Sequence, residues 1–363
     1  MDNFLFSKIP GSNSTYYEEI DFIKAIAIIA VIILHTGLTY KHFTFFAPLF
    51  IQHAVPVFII IAGINSSLSI YRRGKISLSY EYSLDKFKKY FQRILIPFSI
   101  VWLFEIMALI FAKKATVGKI FFSFFAGGIG PGNFYTPVFI QHLIFFPLVI
   151  WLKNKFSSYN QFIMLLGFFF VSIFLEWMCI VLIVPEWLYS PLYLRYLFAA
   201  VIGSYMVSHE FSKKAIFLLM PLSITYIISV SYLKYDFPTI IYSAWGFQHA
   251  PAYFYTAFLV YFLWWIYPFL RNIERLILPI GKASYHIFLF QMMWFWFPAQ
   301  FLRKLVTNDF LYLSLNIFAC LLVGYVFYKI QLSALETLKA KFANNKIRRT
   351  QKAAPLILTY SKT

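Results

Sequence analysis

Apolar runs of roughly 20 residues recur along the whole of this chain, and about 20 is the number a helix needs to cross the hydrocarbon core of a bilayer. Inside lipid every backbone N–H and C=O must find its partner within the segment, so such runs fold as helices. The expected fold class is therefore all-α, a polytopic integral membrane protein. Composition points the same way: the chain is 61% hydrophobic and only 13% charged, against about 25% charged in an ordinary soluble domain. A water-soluble globular enzyme is excluded. Although 363 residues would suggest two or three soluble domains, the chain reads as one membrane domain.

Bounded by charge, Pro and Gly clusters, about ten spans are expected. They lie near 20–40, 48–70, 92–112, 134–152, 161–184, 192–208, 214–233, 251–270, 283–302 and 310–330. An even number places both termini on one side, and basic residues flanking the spans are retained in the cytoplasm. With the termini inside, the inner segments hold 23 Lys and Arg and the outer loops seven, Lys24 and Arg195 falling within spans. The expected organisation is a cytoplasmic segment over 1–19, a ten-helix membrane domain over 20–330 and a basic cytoplasmic tail over 331–363. The tail carries Lys346, Arg348 and Arg349 and reads as a mobile stretch near anionic headgroups.

The net charge of +18 would suggest nucleic acid in a soluble protein. Here the charges lie between apolar spans, so the membrane accounts for them and no nucleic acid partner is expected. The two cysteines, Cys179 and Cys320, both lie in apolar runs, too few for a disulfide framework or a paired-cysteine metal site. His53, His249 and His286 read as structural, no metal-ligand spacing is present, and no metal is expected. Glu18, Glu19 and Asp21 precede the first span in place of a short basic leader, so an uncleaved signal anchor is expected. The halves show no matching pair of interrupted helices, which weakens a transporter reading.

Ionisable side chains within a span are costly and face a cavity or a partner, so each is a site candidate. The first span has only Asp21, Lys24 and His35 after its opening Glu pair. Eleven residues separate Lys24 from His35, about three turns plus roughly 20°, so both point one way, about 16 Å apart along the axis. Asp21 lies one turn before Lys24, close to the same face and able to pair with it. The bland alternative has Lys24 snorkelling and His35 packing between helices. The shared face favours a donor that is anionic at one end and reactive at the other, with an imidazole as base near neutral pH.

Five motifs in order resemble the integral-membrane acyltransferase-3 family. Ile20, Asp21, Lys24 and His35 match its opening motif, with Lys where the family has Arg; the charge is kept and bidentate phosphate binding is lost. AVPVFIIIAGINSS resembles the second-helix pattern, with Ala62 before Gly63 in place of Ser. FKKYFQRILIPF carries the Arg-x-x-x-Pro helix start as Arg93 and Pro97, with Tyr90 at the family's earlier Arg and Lys88 and Lys89 beside it. GGIGPGNFYTPVFIQHLIFFPLVI resembles the outer loop and fourth helix, with Tyr135, Gln141 and His142 as its polar members. GKASYHIFLFQ resembles the late motif, Gln291 standing where the family usually has His.

The resemblance implies a membrane-bound O-acyltransferase that moves an acyl group, most often acetyl from acetyl-CoA, to a hydroxyl of a cell-surface or lipid-linked glycan. No permanently bound cofactor is implied; acyl-CoA is the donor co-substrate. His35 and Asp21 are then the catalytic candidates, with Lys24, Arg93 and Lys89 on the CoA phosphates. His35 deprotonates the acceptor or carries the acyl group itself, the base role being preferred because it needs fewer steps. Tyr135, Gln141, His142, Glu105, Arg195 and Ser284 are the substrate-binding candidates, with a salt bridge, Glu186 one partner for it, the commoner reading of Arg195. Polysaccharide-synthesis proteins are candidate partners, and a bacterial inner membrane is the expected location. A glycan carrier or flippase, and a non-catalytic subunit of a polysaccharide-assembly complex, are the rivals.

Overall fold

The computed structural model describes residues 16–353, apart from 75–76, 157–159, 209–210, 236, 238–239 and 243–247, and the side chains of 40, 208, 211–212 and 338–353. It is all-helical, with no strand among the described residues. Residues 1–15, Lys75 and the last ten residues of the expected tail lie outside the described residues, as do the side chains of Lys346, Arg348 and Arg349.

Thirteen helices carry the argument. They are α1 Glu18–His35, α2 Ala54–Tyr71, α3 Leu84–Tyr90, α4 Ile96–Phe111 and α5 Val117–Phe125. After them come α6 Tyr135–Lys155, α7 Gln161–Val181, α8 Leu197–Ser208 and α9 Phe211–Ser231. The last four are α10 Tyr253–Ile266, α11 Glu274–Trp296, α12 Pro298–Leu305 and α13 Asp309–Ala353.

Among the described residues, seven helical segments are long and apolar enough to cross a membrane: Ile51–Tyr71, Leu84–Phe111, Tyr135–Lys155, Gln161–Val181, Lys213–Ser231, Ala250–Trp296 and Asp309–Thr337. The 47-residue segment Ala250–Trp296 is about 70 Å of helix, more than two bilayer cores. A 3₁₀ stretch, Tyr267–Ile273, with non-helical backbone at Leu270 breaks it into α10 and α11. The seven segments therefore overlap eight of the expected spans, the one expected over 283–302 being broken at Phe297, after which α12 begins. The other two are α1, whose first two turns carry Glu18, Glu19, Asp21 and Lys24, and the shorter apolar helix Tyr193–Val207.

Two boundaries differ from expectation for local reasons. α1 stops at His35, five residues early, because Gly37 takes a left-handed φ of +73° and ends the helix. At the other end α13 continues to Ala353 where a mobile tail was expected. The stretch after 330 is rich in Ala, Leu, Lys and Gln, which are strong helix formers, and has no Pro before Pro355.

α1 is the centre of the bundle, packed on α11, α2 and α10. It buries Ile23, Ala25, Ile28 and Ile32 completely. A second close pairing joins α2 to α8: a Cβ on Gly63 would run into the Ala200 carbonyl and one on Gly203 into the Ile60 carbonyl. Small residues here let two backbones touch, which is how helices associate when lipid is as apolar as the side chains.

Candidate active site

The site begins where α1, α2, α6, α11 and the end of α3 with the turn that follows it leave a cavity of about 470 Å³. One end is lined by Lys24, Arg93, Lys282, Tyr90, Ser66 and Asn65. The other is apolar, with Val31, Val55, Phe58, Tyr135, Phe139 and Phe288. Three cations and no carboxylate line it among the described residues.

Each cation is placed by local sequence. Lys24 pairs with the Asp21 carboxylate one turn earlier, and Asp21 also accepts from the Tyr16 hydroxyl. Partial burial and the neighbouring Asp21 push the Tyr16 hydroxyl up in pKa, so it stays a donor. The Lys282 ammonium lies 5.0 Å from the centre of the Tyr16 ring. Arg93 sits in a single π-helical turn, Phe91–Leu95, between α3 and α4. Pro97 explains that turn: it has no N–H to give the Arg93 carbonyl four residues back, and its ring would strike it, so the turn widens. The Arg-to-Pro spacing thus sets the local backbone that presents Arg93. Before α3, the buried Glu81 ion-pairs with Arg73 and Lys86, fixing the approach to that mouth, while Ser83 caps α3 through the Lys86 N–H.

At the opposite end His35 Nδ1 lies 2.7 Å from Gln291 Oε1. An amide oxygen only accepts, so Nδ1 carries the proton and Nε2 keeps its lone pair. Above the ring runs the loop Gly127–Asn133. Gly132, at φ +85°, brings its backbone so close that a Cβ there would be 3.1 Å from His35 Cε1. Glu105 holds this loop, accepting from the N–H groups of Ile129 at 2.8 Å and Gly130 at 3.2 Å.

The structure sorts the expected site residues into those at the cavity and those behind it. Lys24, Arg93, Tyr135 and Ser284 line it. Lys89 is exposed on α3 and is not part of the lining. Asp21 is fourteen residues from His35, about 21 Å along the helix, so it orients Lys24 and not the imidazole. Gln141 braces the backbone, donating to the Pro191 carbonyl at 2.6 Å and accepting from the Tyr193 N–H at 3.1 Å. His142 is fully buried one step behind the wall, within 3.2 Å of the Ser66 hydroxyl and 3.0 Å of the Tyr193 hydroxyl. Glu105 serves the loop.

Arg195 is buried among the Tyr196, Phe134 and Tyr189 rings and donates to the Tyr196 hydroxyl. Glu176, a carboxylate for which the sequence fixes no partner, joins that cluster through Tyr189. His53 and His286 bond to Thr256 and Gln331, as structural residues do. No group of three or more potential metal ligands occurs among the described residues.

Sequence reasoning missed Lys282 and undervalued Gln291. Lys282 counted only as an inner-loop charge, yet its spacing to Tyr285, one turn on, puts both on the cavity face. Gln291 reads as a departure from a motif until His35 is seen against it.

The sequence profile of the acyltransferase domain of the acyltransferase-3 family matches residues 17–329. No curated protein and no solved structure is similar enough to this chain to count as a match. The matched stretch contains every helix that builds the cavity and both residues of the His35–Gln291 pair, and the chain belongs to the acyltransferase-3 family of membrane acyltransferases.

Proposed function

We propose that the protein transfers an acyl group, acetyl in the first instance, from acyl-CoA to a hydroxyl of a cell-surface or lipid-linked glycan. One observation carries the reading: a single cavity is cationic at one end and apolar at the other, and its apolar end stops beside an oriented histidine. That profile fits a donor with a phosphate-bearing head and a slender arm ending in a thioester. Charge-assisted bonds from Lys24, Arg93 and Lys282 hold the head, and the arm follows α1 for about 16 Å toward His35.

At that point Nε2 of His35 takes the proton of the acceptor hydroxyl. The alkoxide oxygen attacks the thioester carbon, a C–O bond forms and the C–S bond breaks. The imidazolium returns its proton to the departing thiolate. The excess of basic residues on one set of loops supports a cytoplasmic donor mouth, both termini inside, and a bacterial inner membrane as the setting.

The test is acyl transfer from labelled acetyl-CoA into glycan by membranes carrying the native protein or His35→Ala at matched expression. Loss of at least about a hundredfold is expected in the variant, the range for removing a general base. Incorporation that survives His35→Ala overturns the catalytic assignment, a trapped acyl-histidine overturns the base role, and glycan flux without CoA release overturns the transferase.

A further inference from the structure

The cavity stops short of the residue it is expected to serve. Its deepest lining comes from Val31, one turn before His35 on α1, and from the rings of Phe58, Tyr135 and Phe288, while His35 itself is not on its wall. Three helices supply those rings. Tyr135 lies 4.9 Å from Phe288 and 5.9 Å from Phe58 between ring centres, and both Tyr135 and Phe288 are buried. The far edge of Phe288 meets the catalytic end. The point where a Cβ on Gly132 would sit is 3.3 Å from Phe288 Cε2 and 3.1 Å from His35 Cε1, so the ring that lines the cavity and the imidazole border the same glycine.

A transfer reaction needs the attacking oxygen and the thioester carbon about 3–3.5 Å apart, and a thioester confined to the cavity does not meet His35, which is not on its wall. The ring must turn aside for the acyl group to pass, and the space it vacates is the space the acyl group then fills. Gly132 has no side chain to block that space from the loop side, and Phe288, unlike Tyr285, makes no hydrogen bond that would fix its ring.

We propose that Phe288, seated against Tyr135, is a shutter between the donor chamber and His35 and sets the size of acyl group the enzyme accepts. This rests on the acyl-CoA reading given above. A benzyl side chain that swings but stays in the passage leaves room for a short acyl group and excludes a longer one. Truncating it admits the longer chain, and one methylene in an apolar pocket is worth about 10- to 200-fold in discrimination.

The experiment compares acetyl-CoA with butyryl-CoA in membranes carrying the native full-length protein, Phe288→Ala, Phe288→Leu or Phe169→Leu, reading CoA thiol release above the His35→Ala background. Phe169 packs on Phe198 and Phe254, away from the cavity, and its variant controls for loss of a packed, half-buried ring. The butyryl-to-acetyl ratio is expected to rise about tenfold or more in Phe288→Ala, by a smaller step in Phe288→Leu, and to stay at the native value in Phe169→Leu. An unchanged ratio in a Phe288→Ala protein that still releases CoA overturns the shutter and leaves the transferase standing. Equal loss of both thioesters in the Ala and Leu variants also overturns it, because the ring then serves only packing. A native protein that releases CoA from neither thioester removes the acyl-CoA reading and the shutter with it.

Discussion

His35 owes its orientation to one amide. Gln291 offers its oxygen to Nδ1 and its NH₂ points toward the Pro131 carbonyl at 3.5 Å, so the side chain cannot flip without losing both partners. Gln291→Leu is accordingly expected to lower kcat for acyl transfer by about tenfold or more with KM for acetyl-CoA unchanged, since only the presentation of the base is lost. Gln291→Glu retains an acceptor at that point and keeps more of the rate. Steady-state kinetics on both variants check this, and a KM effect without a kcat effect would remove Gln291 from the role. At the other end the Lys24 charge acts on binding. Lys24→Gln is expected to raise KM for acetyl-CoA about tenfold or more, the value of a charge-assisted hydrogen bond, with Lys24→Arg close to native. The spacing of Lys24 and His35 was readable from the sequence because it depends only on helix geometry. The partnership of His35 with Gln291 was not, because 256 residues separate them and no local pattern joins them.

Among the elements, the loop Gly127–Asn133 and α4 act as a unit through Glu105. Its carboxyl group receives two loop N–H groups, each such bond worth about 0.5–1.5 kcal/mol net. Glu105→Leu would leave both amides without a partner beside His35. Faster hydrogen exchange over 128–133 and reduced acyl transfer are the expected outcome, with Glu105→Gln, which keeps an acceptor oxygen, nearer to native. Exchange that does not change would mean the loop is held elsewhere. Sequence placed Glu105 mid-span and could name no partner, since its partners are backbone amides on a loop 24 and 25 residues away. The Arg93-to-Pro97 spacing was legible as a motif. Its physical content, a widened turn at Arg93, required the backbone.

On the scale of the whole molecule the charge asymmetry argues for one orientation, with the cationic mouth of the cavity toward the cytoplasm. Single-cysteine labelling tests it: a reporter replacing Lys119 is expected to react from outside the cell and one replacing Lys88 only after the cytoplasm is opened. The reverse pattern would overturn the orientation and the donor side together. What the sequence determined by itself is the all-helical membrane class, the approximate place of the long apolar spans and the eleven-residue spacing of Lys24 and His35 on one helix. Hydrophobic run length and the 3.6-residue repeat are local properties, written into consecutive residues. Only the tertiary structure decided that Lys282 joins Lys24 and Arg93, that Glu176 joins Arg195 across Tyr189, and that Phe288 lines the cavity and borders Gly132 beside His35. Those relations depend on which helix faces which, and that choice is made by packing among segments far apart in the chain, where side-chain fit and close backbone approach at residues such as Gly63 and Gly203 outweigh any local preference.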